Sequence, residues 1–177
     1  MIRVNERLQA PTSMTLSTFQ IRPVTPESFR SQLAGLTGEV AGRPLDRPLQ
    51  QWLNEHHGPG SDLYEALKLS CQVGREAGWL CDREAGGIRY GRIFKSDAAL
   101  HGFSVDVVDM EDVVGPHHVH PEGEIDLVMP VEGEALFDGQ PAGWVVYPPA
   151  SSHRPTVSAG RALVLYLLPK GSIRFDS

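Results

Sequence analysis

The chain has 177 residues, of which 41% are hydrophobic, so length and composition allow one sizeable core and favour a single globular domain. Its formal net charge is −6 and the charged residues are scattered, which argues against a nucleic-acid groove or an anionic membrane surface as the partner. No segment approaches the roughly 20 consecutive apolar residues of a membrane span. We therefore expect a cytoplasmic protein that acts on a small molecule and has no nucleic-acid or membrane partner.

The N-terminal part predicts an arm followed by helices. Residues 1–24 show no sustained periodicity and mix Pro, Thr and Ser, which is typical of an extended or mobile arm. Residues 25–78 contain three helix start signals, each followed by apolar residues at helical spacing. These starts are Thr25-Pro26, Pro48 and Ser61 or Asp62. We predict that this helical extension packs on a β domain.

From residue 79 onward, short apolar runs bounded by Gly, Pro, Asp or Ser indicate β-strands. The runs are Ile88 to Phe94, Phe103 to Val108, Ile125 to Val131, Trp144 to Tyr147 and Ala162 to Leu168. Strands do not alternate with long helices here, so we do not expect a parallel sheet. Residues 79–177 therefore predict a mainly β fold, with an antiparallel jelly roll as the architecture.

The segment Gly115–Glu124 carries the strongest chemical signal. In an extended strand, side chains two residues apart share a face, so His118 and His120 are expected to point together into the barrel interior. The turn that follows them can bring Glu124 back to the same point as an oxygen ligand. His153 comes just after a tight turn that follows a later strand, and it supplies the fourth expected ligand. Imidazoles with a carboxylate suit a divalent transition ion.

Two segments of the chain resemble the motifs of the cupin superfamily. The run from His118 to Glu124 matches histidine, any residue, histidine, three residues and glutamate, and the run from Pro148 to His153 resembles the second motif. Ala150 replaces the usual glycine of that second motif. The resemblance implies a cupin-type jelly-roll barrel with one divalent metal ion. Iron or manganese is expected first, and zinc, nickel or cobalt would also accept these ligands.

A closer resemblance covers roughly residues 60–177. Gly-Trp-Leu-Cys at 78–81, Gly-Gly-Ile-Arg-Tyr-Gly-Arg at 86–92 and Phe-Ser-Val-Asp-Val-Val at 103–108, together with the two cupin segments, resemble the bacterial 4-hydroxylaminobenzoate lyases of nitroaromatic degradation. This resemblance implies conversion of 4-hydroxylaminobenzoate, or a related arylhydroxylamine carboxylate, to protocatechuate with release of ammonia. Cupins of this kind are often dimers, so we expect a homodimer with a small aromatic carboxylate as substrate.

Such a reaction needs an acid for the departing hydroxyl group and a base for the attacking water. His117, Glu122 and Asp126 are the titratable groups near the expected metal ligands, and Asp126 shares strand parity with Glu124. For His117 and Asp126 the alternatives are a hydrogen bond to a metal ligand or a position that faces away from the metal.

Further residues are candidates for binding the substrate. Tyr90 and Arg92 lie on one face of a predicted strand and Arg89 on the other, so either face can line the barrel. A guanidinium from either face, or that of Arg154, offers paired donors to a substrate carboxylate. The ring of Trp144 can stack on an aromatic ligand or fill the core.

Three other functions stay open at this point. An iron-dependent cupin dioxygenase acting on a small aromatic or thiol substrate would use the same four ligands. A non-enzymatic cupin sensor or sugar-binding module is a second alternative, although a sensor would normally carry a basic helix pair, which the residues before 78 lack. A sugar-phosphate or keto-acid isomerase is the third, and its product would retain every substrate atom.

Overall fold

A computed structural model describes residues 23–175, which form three α-helices followed by strands, with a short 3₁₀ helix (Ala98–Leu100) between the second and third strands. The elements are α1 (Pro26–Val40), α2 (Arg47–His57), α3 (Asp62–Ala77), β1 (Arg83–Ala85), β2 (Ile88–Phe94), β3 (Phe103–Val114), β4 (His118–His120), β5 (Glu124–Phe137), β6 (Gly143–Tyr147), β7 (Ser151–His153), β8 (Thr156–Pro169) and β9 (Arg174–Phe175). The arm expected over residues 1–24 lies almost entirely outside the described residues. The arm and the exact domain boundaries therefore stay predictions.

The helices begin at residues whose side chains cap them. Thr25, Asp46 and Ser61 each accept a hydrogen bond from the backbone N–H three residues later, which satisfies amides that have no partner inside the helix. Helix α3 ends at Gly78, whose φ of 81° is left-handed. The predicted helical extension is confirmed, and α2 starts one residue before Pro48. None of the helices within residues 23–175 is long and apolar enough to cross a membrane.

The strands form two antiparallel sheets that face each other. The larger sheet has the order β1-β2-β3-β8-β5-β6 and the smaller has the order β7-β4-β9. Each adjacent pair of strands in both sheets is antiparallel. The mainly β, jelly-roll architecture expected from the sequence is therefore confirmed. The two sheets keep separate hydrogen-bond ladders, so the barrel is a sandwich rather than one closed sheet.

Strand alternation gives the larger sheet two different apolar faces. On the outer face, Val107, Leu127 and Leu165 pack with the three helices in the main core. On the inner face, Val108 and Val164 belong to a second cluster that lies toward the smaller sheet. Side chains of the inner face therefore line the space between the sheets, where a ligand can bind.

Helix α2 covers the outer edge of strand β6. The side chain of Asn54 donates to the carbonyl oxygen of Trp144 at 2.8 Å and accepts from its backbone N–H at 2.8 Å. The side chain of Gln50 accepts from the backbone N–H of Val146 at 2.9 Å. These bonds satisfy backbone groups that an edge strand would otherwise expose. The helical extension is thus joined to the sheet by hydrogen bonds as well as by apolar packing.

Candidate metal centre

Three histidines and one glutamate converge between the two sheets. His118 and His120 lie on β4, His153 lies on the adjacent β7, and Glu124 is the first residue of β5 in the other sheet. One ligand atom from each residue lies within 4.8 Å of the others, and all except His153 are fully buried. The structure therefore brings together the four ligands expected from the sequence, in an arrangement that could hold one metal ion.

The turns that deliver these ligands contain left-handed residues. Gly123 has a φ of 88°, and a Cβ there would lie 2.8 Å from the carbonyl oxygen of Tyr147, so glycine is needed where the chain doubles back. Ala150 has a φ of 64°, a conformation that costs an alanine about 1–2 kcal/mol. Its backbone N–H donates to the carbonyl oxygen of His120 at 2.8 Å, which ties the two ligand segments together.

The tautomers of His118 and His153 follow from their hydrogen-bond partners at Nδ1, because these partners can only accept. Nδ1 of His118 lies 3.3 Å from the carbonyl oxygen of Pro116, and Nδ1 of His153 lies 2.5 Å from Oδ2 of Asp138. Each neutral ring therefore carries its proton on Nδ1 and presents a lone pair at Nε2. The two Nε2 atoms are 3.0 Å apart. A cation that binds both lone pairs would remove their mutual repulsion.

The remaining ligand atoms also fit a cation. Nε2 of His120 lies 3.4 Å from Oε1 of Glu124, and neither this nitrogen nor either oxygen of Glu124 has a hydrogen-bond partner within the described part of the chain. Burial, with His153 nearby, lowers the pKa of His118 to about 4, and burial, with His118 nearby, lowers the pKa of His120 to about 3. Both imidazoles are therefore neutral at pH 7, which is the form that binds a divalent ion.

Asp126 is the predicted catalytic residue that the structure brings beside the cluster. It lies two residues after Glu124 on the inner face and is fully buried, and neither of its oxygens has a hydrogen-bond partner among residues 23–175. Burial, followed by the negative charge of Glu124, raises the pKa of Asp126 well above its ordinary value. Burial also raises the pKa of Glu124.

The other two predicted catalytic residues lie outside the cluster. The carboxylate of Glu122 is 3.1 Å from the ammonium group of the exposed Lys170, so its side chain turns to the protein surface. This position does not support the expected acid or base role of Glu122. His117 is half-buried and immediately precedes β4. Its catalytic role stays a prediction.

A cavity of about 750 Å³ lies beside the cluster and reaches it at His118, and its volume is typical of a small-molecule site. Tyr90 and Arg92 line this cavity, so the face of β2 that carries them is the inner one. Most of the remaining wall is apolar, with Ile88, Val108, Met110, Tyr166, Leu168 and Phe175 among its residues. The cavity thus offers an apolar slot next to a group of metal ligands.

Three residues predicted to bind substrate lie elsewhere. Trp144 is on the outer face of β6, where its indole Nε1 donates to the carbonyl oxygen of His57 at 2.8 Å, so it fills the core under the helices. Arg89 is exposed and pairs with Glu84 at 3.3 Å. Arg154 is exposed and does not line the cavity. Of the two roles expected for Trp144, the structure shows core filling, and the role in stacking on a ligand is wrong. The two arginines point to solvent instead of to the cavity.

The sequence reading missed two carboxylates of this region. Asp106 lines the cavity and accepts from Nε of Arg92 at 3.0 and 3.1 Å, while burial raises its pKa. Its position could have been inferred from strand parity, because it lies two residues before Val108 on β3 and therefore shares its face. Asp138 is hydrogen-bonded to Nδ1 of His153, on the side of the ring away from the centre of the cluster. Its only sequence signal was the Asp-Gly pair that marks a turn after a strand.

The facing antiparallel sheets and the cluster of three histidines and a glutamate define a protein of the cupin class with a site suited to a metal ion. A family model described as PnbB, 4-hydroxylaminobenzoate lyase, matches residues 31–175. The chain is 33% identical over 161 residues to the 4-hydroxylaminobenzoate lyase of Nocardioides sp. (strain LMS-CY), covering 86% of this chain and 95% of that relative. It is 30% identical over 168 residues to the Pseudomonas putida 4-hydroxylaminobenzoate lyase, covering 83% and 96%. The chain belongs to the 4-hydroxylaminobenzoate lyase family.

Solved structures that resemble the chain include cupins of low sequence identity. An RmlC-like cupin protein from Ralstonia eutropha JMP134 matches with a TM-score of 0.40 and 15% identity, over 52% of this chain and 62% of that one. A cupin 2 domain-containing protein from Halorhodospira halophila matches with a TM-score of 0.36 and 16% identity, over 54% and 70%. Each of these matches covers about half of this chain.

We predict that the substitution Asp126→Asn stabilises the metal-free protein at neutral pH. The pKa of Asp126 is raised on folding, so this carboxyl group lowers the stability of the folded state. The loss of stability is absent below the ordinary carboxyl pKa of 3.8 and grows as the pH rises above that value. An uncharged amide of the same shape removes this penalty, with a gain of about 1–3 kcal/mol at pH 7. Urea unfolding of wild type and variant in EDTA at pH 4 and pH 7 measures it. Equal stabilities at pH 7 would contradict the prediction.

Proposed function

We propose that this protein is a metal-dependent lyase that converts 4-hydroxylaminobenzoate to protocatechuate and ammonia. The observation that carries the proposal is the buried cluster of three imidazoles and a carboxylate at the end of an apolar cavity. Relatives that match most of the chain are named for this activity. The reaction consumes one water and releases one ammonia, so it requires no net oxidation or reduction.

His118, His120, Glu124 and His153 would hold the metal ion. When bound, a divalent ion supplies Lewis-acid polarisation of the substrate's hydroxylamino group. Iron and manganese are the first choices, and zinc, nickel and cobalt also accept this ligand set. Because the cavity meets the cluster at His118, we place the hydroxylamino end of the substrate there.

The carboxylate end of the substrate is assigned to two cations of the cavity wall. Arg83 on β1 and Lys95 just after β2 line the cavity, and neither forms an ion pair or hydrogen bond with any residue between 23 and 175. Arg92 also lines the cavity, but its guanidinium already pairs with Asp106 and donates to the carbonyl oxygen of Gly171 at 3.3 Å. Arg83 and Lys95 therefore have the charge still available for a substrate carboxylate.

Tyr166 is proposed as the acid for the departing hydroxyl group. It lines the cavity, and in the strand register it lies directly opposite Asp106 on one side and Asp126 on the other. Burial, reinforced by the carboxyl groups of Asp126 and Glu124, raises the pKa of Tyr166 well above its ordinary value, so the hydroxyl keeps its proton at neutral pH. A proton from Tyr166 allows the hydroxyl group to leave as water when the N–O bond breaks.

Asp106 is the cavity carboxylate that could accept a proton from the attacking water. Water adds at the ring carbon ortho to the one that bears the nitrogen, and a second water hydrolyses the resulting imine to release ammonia. One water leaves and two are added, so the net consumption is one water. Arg92 holds both oxygens of Asp106 through its Nε and thereby fixes the carboxylate toward the cavity.

We expect the metal-loaded protein to convert 4-hydroxylaminobenzoate without dioxygen and to release one ammonia per substrate. The variant His118→Ala should lose activity by more than about 100-fold, because losing a ligand costs more than losing an outer partner, which already costs 10–100-fold. His56→Ala, at an exposed histidine on α2, is the matched control and should retain activity. Anaerobic ammonia assays and metal analysis measure these effects. An absolute requirement for dioxygen would reject the lyase assignment and favour a dioxygenase.

We expect Arg83→Gln and Lys95→Gln each to raise KM for 4-hydroxylaminobenzoate about two- to fivefold, since an exposed charge pair contributes up to ~1 kcal/mol. KM for phenylhydroxylamine, which lacks the carboxylate, should stay unchanged in both variants. Arg89→Gln, on the same hairpin but outside the cavity, is the control and should alter neither value. Equal changes in KM for the two substrates would show that the lost charge acts on something other than the carboxylate.

We expect Tyr166→Phe to lower kcat by about 10²–10⁴-fold, the usual contribution of an acid or base, while KM changes little. Phenylalanine fills nearly the same space, so the inner-face packing against Phe137 is retained. Tyr64→Phe removes another buried tyrosine hydroxyl, which bonds to the carbonyl oxygen of Val128, and serves as the control for loss of stability alone. Steady-state kinetics of ammonia release measure both variants. An unchanged kcat in Tyr166→Phe would remove Tyr166 from the mechanism.

A further inference from the structure

Asp138 lies behind the metal cluster and outside the cavity, in the turn that ends β5. Its φ of 49° is in the left-handed region, where aspartate and asparagine are enriched among non-glycine residues. Its backbone N–H donates to the carbonyl oxygen of Thr156 at 2.8 Å, so the turn is fixed to the start of β8. The side chain is four-fifths buried. The backbone therefore presents the carboxylate to the cluster in one position.

Three donors orient this carboxylate. Oδ1 of Asp138 accepts from the backbone N–H of Thr156 at 2.8 Å, and Oδ2 accepts from the hydroxyl of Tyr147 and from Nδ1 of His153, each at 2.5 Å. Burial opposes the charge, but the hydrogen bonds from His153, Tyr147 and Thr156 hold the pKa of Asp138 below its ordinary value. An ionised carboxylate can only accept, so each of these contacts has a fixed direction.

We propose that Asp138 is a positioning residue that fixes His153 in the tautomer with its proton on Nδ1 and so keeps Nε2 free to bind a metal. The inference rests on the metal site of the proposed function. The other two histidines of the cluster have neutral partners, the carbonyl oxygen of Pro116 and the hydroxyl of Ser151. A carboxylate partner also makes the ring of His153 the strongest donor of the three, because it supports positive charge on the imidazole.

Asparagine at position 138 reverses the tautomer. The backbone N–H of Thr156 requires an acceptor at the Oδ1 position, so the amide oxygen of Asp138→Asn takes that place and its NH₂ group takes the place of Oδ2. The NH₂ group then donates to Nδ1 of His153, which must be unprotonated, and the proton moves to Nε2. A ring with its proton on Nε2 cannot bind the metal through that atom.

Two further variants separate this effect from simple support of the fold. Asp138→Ala loses every hydrogen bond of the carboxylate and disfavours the left-handed turn, so it should be the least stable variant, but it leaves His153 free to adopt either tautomer. Tyr147→Phe removes one donor and keeps the carboxylate. A merely structural role predicts that metal affinity falls in the order of stability, with alanine worst. The tautomer role predicts that asparagine binds metal no better than alanine, although it is the more stable protein.

Two measurements test the proposal. ¹⁵N NMR of the metal-free proteins identifies the protonated nitrogen of His153, and competition titration with Co²⁺ gives the metal affinity. We expect the proton on Nδ1 in wild type and Tyr147→Phe and on Nε2 in Asp138→Asn. We expect Co²⁺ to bind about 10–100-fold more weakly to Asp138→Asn, the usual effect of losing an outer partner, and nearly normally to Tyr147→Phe.

A proton that stays on Nδ1 in Asp138→Asn, or an affinity order that follows stability, would overturn the role of Asp138. If wild type itself does not bind Co²⁺, the metal dependence of the proposed function is rejected. The NMR result on the metal-free proteins would then still decide whether Asp138 fixes the tautomer, so the two failures are distinguishable.

Discussion

Lone pairs that face one another in a buried space are the constraint on which the structure depends. Nε2 of His118, His120 and His153 and the carboxylate of Glu124 converge within a few ångströms, and the outer partners of two of the rings hold the protons away from the centre. Burying such acceptors together without a donor or cation costs several kcal/mol. The large core between the outer face of the sheet and the helices offsets that cost, and a bound cation would remove most of it.

The two sheets contribute different parts of the site. The smaller sheet supplies the three imidazoles through β4 and β7, whereas the larger sheet supplies the carboxylate ligand and the cavity wall. Across the inner face of the larger sheet, Arg92, Asp106, Tyr166 and Asp126 stand opposite one another in register on four adjacent strands. This row leads from the cavity to the buried carboxyl groups beside the cluster. The sheet that contributes only one ligand therefore carries this whole row of ionisable side chains.

Features that depend on local period and spacing could be predicted from the sequence. Parity placed His118 and His120 on one face and Asp126 with Glu124, and capping residues placed the helices. Parity gives two faces but does not say which one meets the helices, and for that reason the sequence left both ligand stacking and core filling open for Trp144. The roles proposed for Asp138, Arg83 and Lys95 depend on cross-strand register and on which charges find partners, and the local sequence shows neither.

Helix α2 covers strand β6, so the two edges of the larger sheet differ in how many backbone groups stay free. Asn54 and Gln50 occupy the free backbone groups of β6, so within the described residues the sheet can be extended by another chain at β1 alone. Strand β1 is three residues long and carries Arg83, which lines the cavity. Any strand added there would change the electrostatics at the end of the cavity that is proposed to take the substrate carboxylate. Assembly at this edge and substrate recognition would thus share one short hairpin.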